Sequence, residues 1–102
     1  MNKTLGTHNY FVYILTNKRK TVLYIGVTND LKTRLYYHRN PEANSKHFTH
    51  KYKCNNLIYF EHFQNINVAI LREKQLKKWK RVKKEYLINQ MNPEWKDLCN
   101  MI

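Results

Sequence analysis

Two tyrosines, an arginine and a histidine are spaced so that a short fold can bring them together. Tyr13 lies in the apolar run Asn9–Thr16 (NYFVYILT) and Tyr24 in a second run, Thr21–Val27 (TVLYIGV). The polar link Asn17–Lys20 between them predicts a β-hairpin whose pairing brings the two rings near one another. Gly26 follows Tyr24 by two positions, and a glycine inside a strand marks a bulge or a close approach. In the next segment Leu31, Arg34, Leu35 and His38 recur at i, i+3, i+4 and i+7, so Arg34 and His38 share the inward face of a helix with two leucines. A permanently charged guanidinium on such a face needs an anion. The chain holds seven carboxylates (Asp30, Glu42, Glu61, Glu73, Glu85, Glu94, Asp97) against 19 Lys and Arg. A phosphate therefore suits the planar, two-pronged donor of Arg34. Each residue also has a plain alternative. A buried tyrosine is commonly an aromatic with a satisfied hydroxyl, and Arg34 could pair with Glu61 or Glu73 at the surface.

The elements that must position these groups follow from pattern. Neither hairpin run alternates cleanly with polar residues, so both strands are expected to be covered on both faces and to lie mid-sheet. Thr28 or Asn29 is the expected N-cap of the next helix, with Asp30 in its first turn, and Asn40-Pro41 stops it after about Arg39. Glu42–Lys53 reads as a polar loop; its His47 and His50 lack two further ligands for zinc and read as ordinary loop histidines. Asn56–Phe63 (NLIYFEHF) reads as a third strand. A helix from Asn65 or Asn67 through Trp79 should break near Arg81, and a second should end at Gln90 or Met91 before Asn92-Pro93. The tail Glu94–Ile102 is expected to dock through Trp95 and Leu98. The sum is one domain over residues 1–102, of the α+β class: a small three-stranded antiparallel sheet flanked by helices in the order β-β-α-β-α-α.

Composition narrows the partners. A formal net charge of +12 and a pI near 9.9 make self-repulsion that a polyanion relieves, and nucleic acid is the expected partner. No apolar run approaches the ~20 residues of a membrane span, and Met1–Asn9 lacks the apolar block of a signal peptide. A soluble cytoplasmic protein without an obligate protein partner is expected. Cys54 and Cys99, 45 positions apart, suggest neither zinc nor a disulfide framework. Lys74–Lys84 holds seven basic residues around Trp79; Lys74, Lys77, Lys78, Lys80 and Arg81 are candidate phosphate-backbone contacts, or else a solvated helix face.

The ordered set of FVY (Phe11–Tyr13), YIG (Tyr24–Gly26), Arg34 and His38 resembles the GIY-YIG endonuclease superfamily, in its stand-alone single-domain branch. Phe11 replaces the first motif's glycine, and Val27 stands where some members carry lysine. The resemblance implies a metal-dependent DNA endonuclease. It assigns Glu73, in LREKQLKKW, as the ligand of one divalent cation, Mg²⁺ or Mn²⁺. It implies that Tyr13 by preference, and Tyr24 otherwise, takes a proton from the attacking water, helped by a nearby cation such as Arg34 that favours the phenolate. Arg34 would stabilise the transition state, His38 would orient groups or relay the proton, and Asn92 aligns with a late asparagine. Periodicity alone does not select Glu73, since Arg72 falls nearer the middle of the apolar stripe of Val68, Ala69, Leu76 and Trp79. The alternative function is a nucleic-acid-binding module that keeps the fold without catalysis.

Overall fold

Four consecutive residues, Val12 to Leu15, are fully buried, which requires a strand covered on both faces. They belong to β1 (Tyr10–Thr16), the central strand of a three-stranded antiparallel sheet in the order β2-β1-β3, with β2 at Leu23–Thr28 and β3 at Asn56–Phe63. The structure, a computed structural model, describes residues 8–40 and 53–102. Of the loop expected over Glu42–Lys53 only Lys53 is among them, and His47 and His50 lie outside. The helices are α1 (Leu31–Arg39), α2 (Ile66–Lys78) and α3 (Arg81–Met91), so the order is β-β-α-β-α-α. A short 3-10 turn, Cys99–Met101, closes the chain.

One expectation about the hairpin needs correction. β1 is central, but β2 is an edge strand. Its apolar run reports that helices cover both of its faces. Periodicity reads faces and carries no information about which strand lies at an edge.

The two faces carry separate cores. On one, Val12, Ile14 and Ile25 pack with Ile58 and Tyr59 against Ala69 and Leu76 of α2 and Ile88 of α3. On the other, Tyr13, Leu15 and Leu57 pack with Cys54 against Leu31 and Leu35 of α1. The register shifts between Ile14, opposite Tyr59, and Leu15, opposite Leu57. Ile58 is the extra residue of this bulge, so Ile58 and Tyr59 both serve the same core.

Local chemistry sets the boundaries. The N-cap of α1 is Asp30 itself, later than Thr28 or Asn29, because its carboxylate accepts from the Thr33 N–H at 3.2 Å and the Thr33 hydroxyl at 2.8 Å. Thr28 in turn accepts from the Asp30 N–H, which fixes where α1 leaves the sheet. Asn65 caps α2. That helix stops at Lys78, since Trp79 and Lys80 are both extended. No proline or glycine forces this break. The Trp79 ring lies within cation–π distance of the Arg72 guanidinium at 5.3 Å and the Lys83 ammonium at 4.2 Å.

The sheet edges differ. Along β3, Asp97 accepts from the Leu57 N–H and the Leu98 N–H donates to the Leu57 carbonyl at 2.7 Å, so the tail covers part of that edge as Leu98 docks. Trp95 docks on the opposite core. Asn92, which caps α3, ties the tail down: its amide donates to the carbonyls of Ile58 at 3.1 Å and Lys96 at 2.8 Å and accepts from the Lys96 N–H at 3.0 Å. Asn92 is 5% exposed, so these groups have little access to water as a substitute.

Asn92→Ala should therefore cost about 2 kcal/mol of stability, the range for leaving buried polar groups unpaired. Denaturant melts should show it, beside the exposed control Glu94→Ala within ~0.5 kcal/mol of wild type. A silent Asn92→Ala would mean that the tail is held by other contacts.

Candidate active site

The side of the sheet that faces α1 carries polar chemistry inside an apolar layer. Leu31, Leu35 and His38 are the buried residues of α1, and Arg34 lies half-buried on the same face. His38 reaches a tyrosine pair on the hairpin. Its Nε2 is 3.2 Å from the Tyr13 hydroxyl. The Tyr13 and Tyr24 ring centroids are 6.2 Å apart, Tyr13 and His38 6.0 Å, and Tyr24 and His38 5.5 Å. Three rings thus form a closed triangle whose corners come from β1, β2 and α1.

The register explains the tyrosine pair. Tyr13 stands opposite Gly26, and Tyr24 opposite Leu15, so the tyrosines are diagonal neighbours on one face. The missing side chain at Gly26 is what admits the ring. A Cβ there would lie 2.5 Å from the Tyr13 hydroxyl and 2.6 Å from Cζ. The close approach at Gly26 is therefore made by Tyr13 itself.

Electrostatics separates the two tyrosines. Tyr13 is fully buried. Burial pushes its phenol far above the ordinary value, Tyr24 beside it adds to the rise, and the Arg34 guanidinium within hydrogen-bonding reach opposes both. Arg34 thus acts in the direction that favours the phenolate, but burial outweighs it, and Tyr13 keeps its proton at neutral pH. Tyr24 is only partly buried and also borders a groove at the outer edge of the hairpin.

Arg34 joins no ion pair among the described residues. The two surface partners considered for it are taken: Glu61 holds Arg72 through two bonds of 2.9 and 2.8 Å, and Glu73 holds Lys77 at 3.1 Å. Burial would raise the Glu61 carboxyl, but the hydrogen bonds from Arg72 and Tyr59 outweigh it and hold Glu61 below its ordinary value. Glu61 is a committed structural partner.

Glu73 lies on α2, the layer packed against the other face of the sheet, with its side chain 15% exposed. No group of three or more His, Cys, Asp or Glu side chains stands together among the described residues. A cation at Glu73 would therefore have at most two such ligands among the described residues, with water and substrate oxygens as the rest. Mg²⁺ and Mn²⁺ accept that arrangement.

The basic segment splits by role. Lys74, Lys78 and Lys80 are exposed. Arg81 is spent on the hairpin turn, donating to the carbonyls of Lys20 and Thr21 at 2.7 and 2.8 Å and to Glu85 at 2.7 Å. Lys77 and Lys84 line the groove beside Tyr24. Pattern reading did not single out Lys84, because within a run of seven cations nothing in the sequence tells which one meets the edge strand.

Residues 9–86 match the GIY-YIG catalytic domain. The chain belongs to the GIY-YIG family. Among the relatives of this GIY-YIG domain, a UPF0213 protein of Bacillus pumilus is 33% identical over 87 residues, covering 85% of this chain and 86% of that protein. A UPF0213 protein of Syntrophus aciditrophicus is 36% identical over 84 residues, covering 82% and 93%. The solution NMR structure of a UPF0213 protein from Bacillus halodurans superposes with a TM-score of 0.56 at 26% identity, covering 87% of this chain and 92% of that one. GIY-YIG domains are nuclease domains, and the match spans the two motif strands, α1 and Glu73. No described helix is long and apolar enough to cross a membrane.

The fit of Tyr13 over Gly26 makes the two residues energetically coupled. Gly26→Ala should cost about 1–3 kcal/mol, as overpacking does, by displacing the Tyr13 ring from His38. In a Tyr13→Val background, where the ring is gone, the same change should cost far less. A double-mutant cycle by denaturant melts measures the difference; additive losses would show that the ring does not depend on Gly26.

Proposed function

We propose that this domain hydrolyses phosphodiester bonds in DNA with the help of one divalent cation, Mg²⁺ or Mn²⁺. The observation that carries this reading is the convergence of Tyr13, Tyr24 and His38 beside a half-buried guanidinium, Arg34, that joins no ion pair among the described residues. A phosphodiester would bring an anion to Arg34. As water adds to phosphorus, charge grows on the non-bridging oxygens, and a preorganised guanidinium is stabilising there more than in the ground state.

The burial pattern divides the labour between the tyrosines. Tyr13 is buried and protonated, so it serves as a fixed donor. With its hydroxyl donating to His38 Nε2, the imidazole proton lies on Nδ1. The preference for Tyr13 as proton acceptor gives way to Tyr24, the more accessible hydroxyl, with His38 against its ring to orient it. Glu73 is the carboxylate that would hold the cation, and Lys77 would yield part of its contact. When bound, the cation supplies charge stabilisation to a phosphate oxygen and to the departing 3′ oxygen. Cys54 and Cys99 are both free, which suits a reducing, cytoplasmic setting.

The test is cleavage of plasmid, branched and single-stranded DNA with Mg²⁺, Mn²⁺ or chelator, with binding and melting temperature measured on the same preparations. Glu73→Gln should abolish metal-dependent cleavage and leave the fold and most binding intact. Arg34→Ala should lower single-turnover cleavage by ~10²–10³ and weaken binding far less, and Arg34→Lys should rescue poorly because it lacks the two-pronged donor. Full activity in Glu73→Gln would remove Glu73 from the site. Equal losses of binding and cleavage in Arg34→Ala would make Arg34 a docking residue. Binding without cleavage of any substrate would support the non-catalytic binding module instead.

A further inference from the structure

The two long edges of the sheet are not treated alike. The tail hydrogen-bonds along part of β3, whereas among the described residues β2 pairs only with β1. Beside β2 runs a groove of about 350 Å³ lined by Leu23, Tyr24 and Ile25 of the strand, Lys77 of α2 and Lys84 of α3. Among the described residues no carboxylate lines it. Lys77 is turned to Glu73 and is 54% exposed. Lys84 is partly buried, and its ammonium has no hydrogen-bond or ion-pair partner among the described residues. A partly buried lysine in a groove with no carboxylate among its described lining residues suits an anion.

The groove and the ring triangle share Tyr24, so an anion held in one lies close to a group attacked in the other. We propose that this groove seats a backbone phosphate of the nucleic acid next along the strand from the one attacked, with Lys84 as its principal ligand and Lys77 as the second cation. The word "next" rests on the proposed nuclease reading; the phosphate seat does not. One anion at Lys84 and a second at Arg34, on either side of Tyr24, would fix the register of a flexible strand across the site and so set where it is cut. A lysine near an exposed strand edge also has a purely protective use, since charge there blocks pairing with another chain. That use predicts loss of solubility on neutralisation and no change in nucleic-acid binding.

The experiment is fluorescence anisotropy of a short labelled single-stranded oligonucleotide against salt, with wild type, Lys84→Gln, Lys84→Arg and the control Lys96→Gln, an exposed lysine paired to Glu94. Melting temperatures on the same samples show that each variant is folded. Each phosphate contact on a single strand contributes about −0.7 to the slope of log K against log salt. Lys84→Gln should make the slope shallower by about 0.7, and Lys84→Arg and Lys96→Gln should keep it. A second arm uses oligonucleotides carrying one neutral methylphosphonate at successive positions. At one position, neutralisation should weaken wild type several-fold and leave Lys84→Gln unaffected.

Unchanged slope in folded Lys84→Gln, the same loss in Lys96→Gln, or no position-specific coupling would overturn the proposal, as would failure of wild type to bind. A wild type that cuts DNA while Lys84→Gln binds like it would sink the phosphate seat and leave the nuclease reading standing. A wild type that never cuts but shows the Lys84 coupling would do the reverse.

Discussion

The Tyr13–His38 contact is the constraint on which the rest of this domain turns. A hydroxyl and an imidazole meet at 3.2 Å inside a largely apolar layer that includes Leu15, Leu31, Leu35 and Leu57. Each would be costly to bury alone, and together they satisfy one another. The pairing demands a central strand to bury Tyr13, a glycine opposite it to admit the ring, and a helix whose inward face ends in histidine. Those demands account for Gly26 on β2 and for the position of α1, fixed by Thr28 and Asp30 at its start. They also decide the electrostatics. Burial holds the Tyr13 phenol well above its ordinary value, while Tyr24 and Arg34 are only partly buried.

The two helical layers divide structure from chemistry. α1 completes the ring cluster on one face of the sheet. α2 and α3 cover the other and bring Lys77 and Lys84 to the edge of β2; α2 also carries Glu73. Within that second layer much of the charge is already engaged: Arg72 with Glu61, Lys83 with Trp79, Arg81 with the hairpin turn. Lys77 and Lys84 line the groove beside β2, while Lys74, Lys78 and Lys80 are exposed.

Sequence carried the fold well because its signals were local. Asn65 capped α2 as its type suggests, Asn92-Pro93 closed α3, and the i, i+3, i+4, i+7 set on α1 faced inward with His38 buried. What the sequence did not reveal depended on three-dimensional competition. The edge position of β2 was hidden because helices cover both its faces. The break before Arg81 was expected, but the contacts of Arg72 and Lys83 with the Trp79 ring were not. Arg81, one of seven similar cations, turned out to be tied to a turn 60 residues earlier, and Lys84 to border the edge strand. The Tyr13–Tyr24 pairing was legible from the hairpin alone, whereas the inequality of the two tyrosines needed burial to be known.

The central claim is that the Tyr13–Tyr24–His38–Arg34 cluster is assembled to receive a phosphodiester. The most direct measurement is a metal-free NMR titration of the ¹⁵N-labelled protein with a short oligonucleotide, following the Arg34 Nε–H and the His38 ring nitrogens. The account predicts that both signals shift and saturate together with the overall binding curve, Arg34 most strongly, while the fold is unchanged. Saturation of the binding curve with Arg34 and His38 unmoved, and shifts confined to exposed lysines such as Lys74 and Lys78, would contradict it.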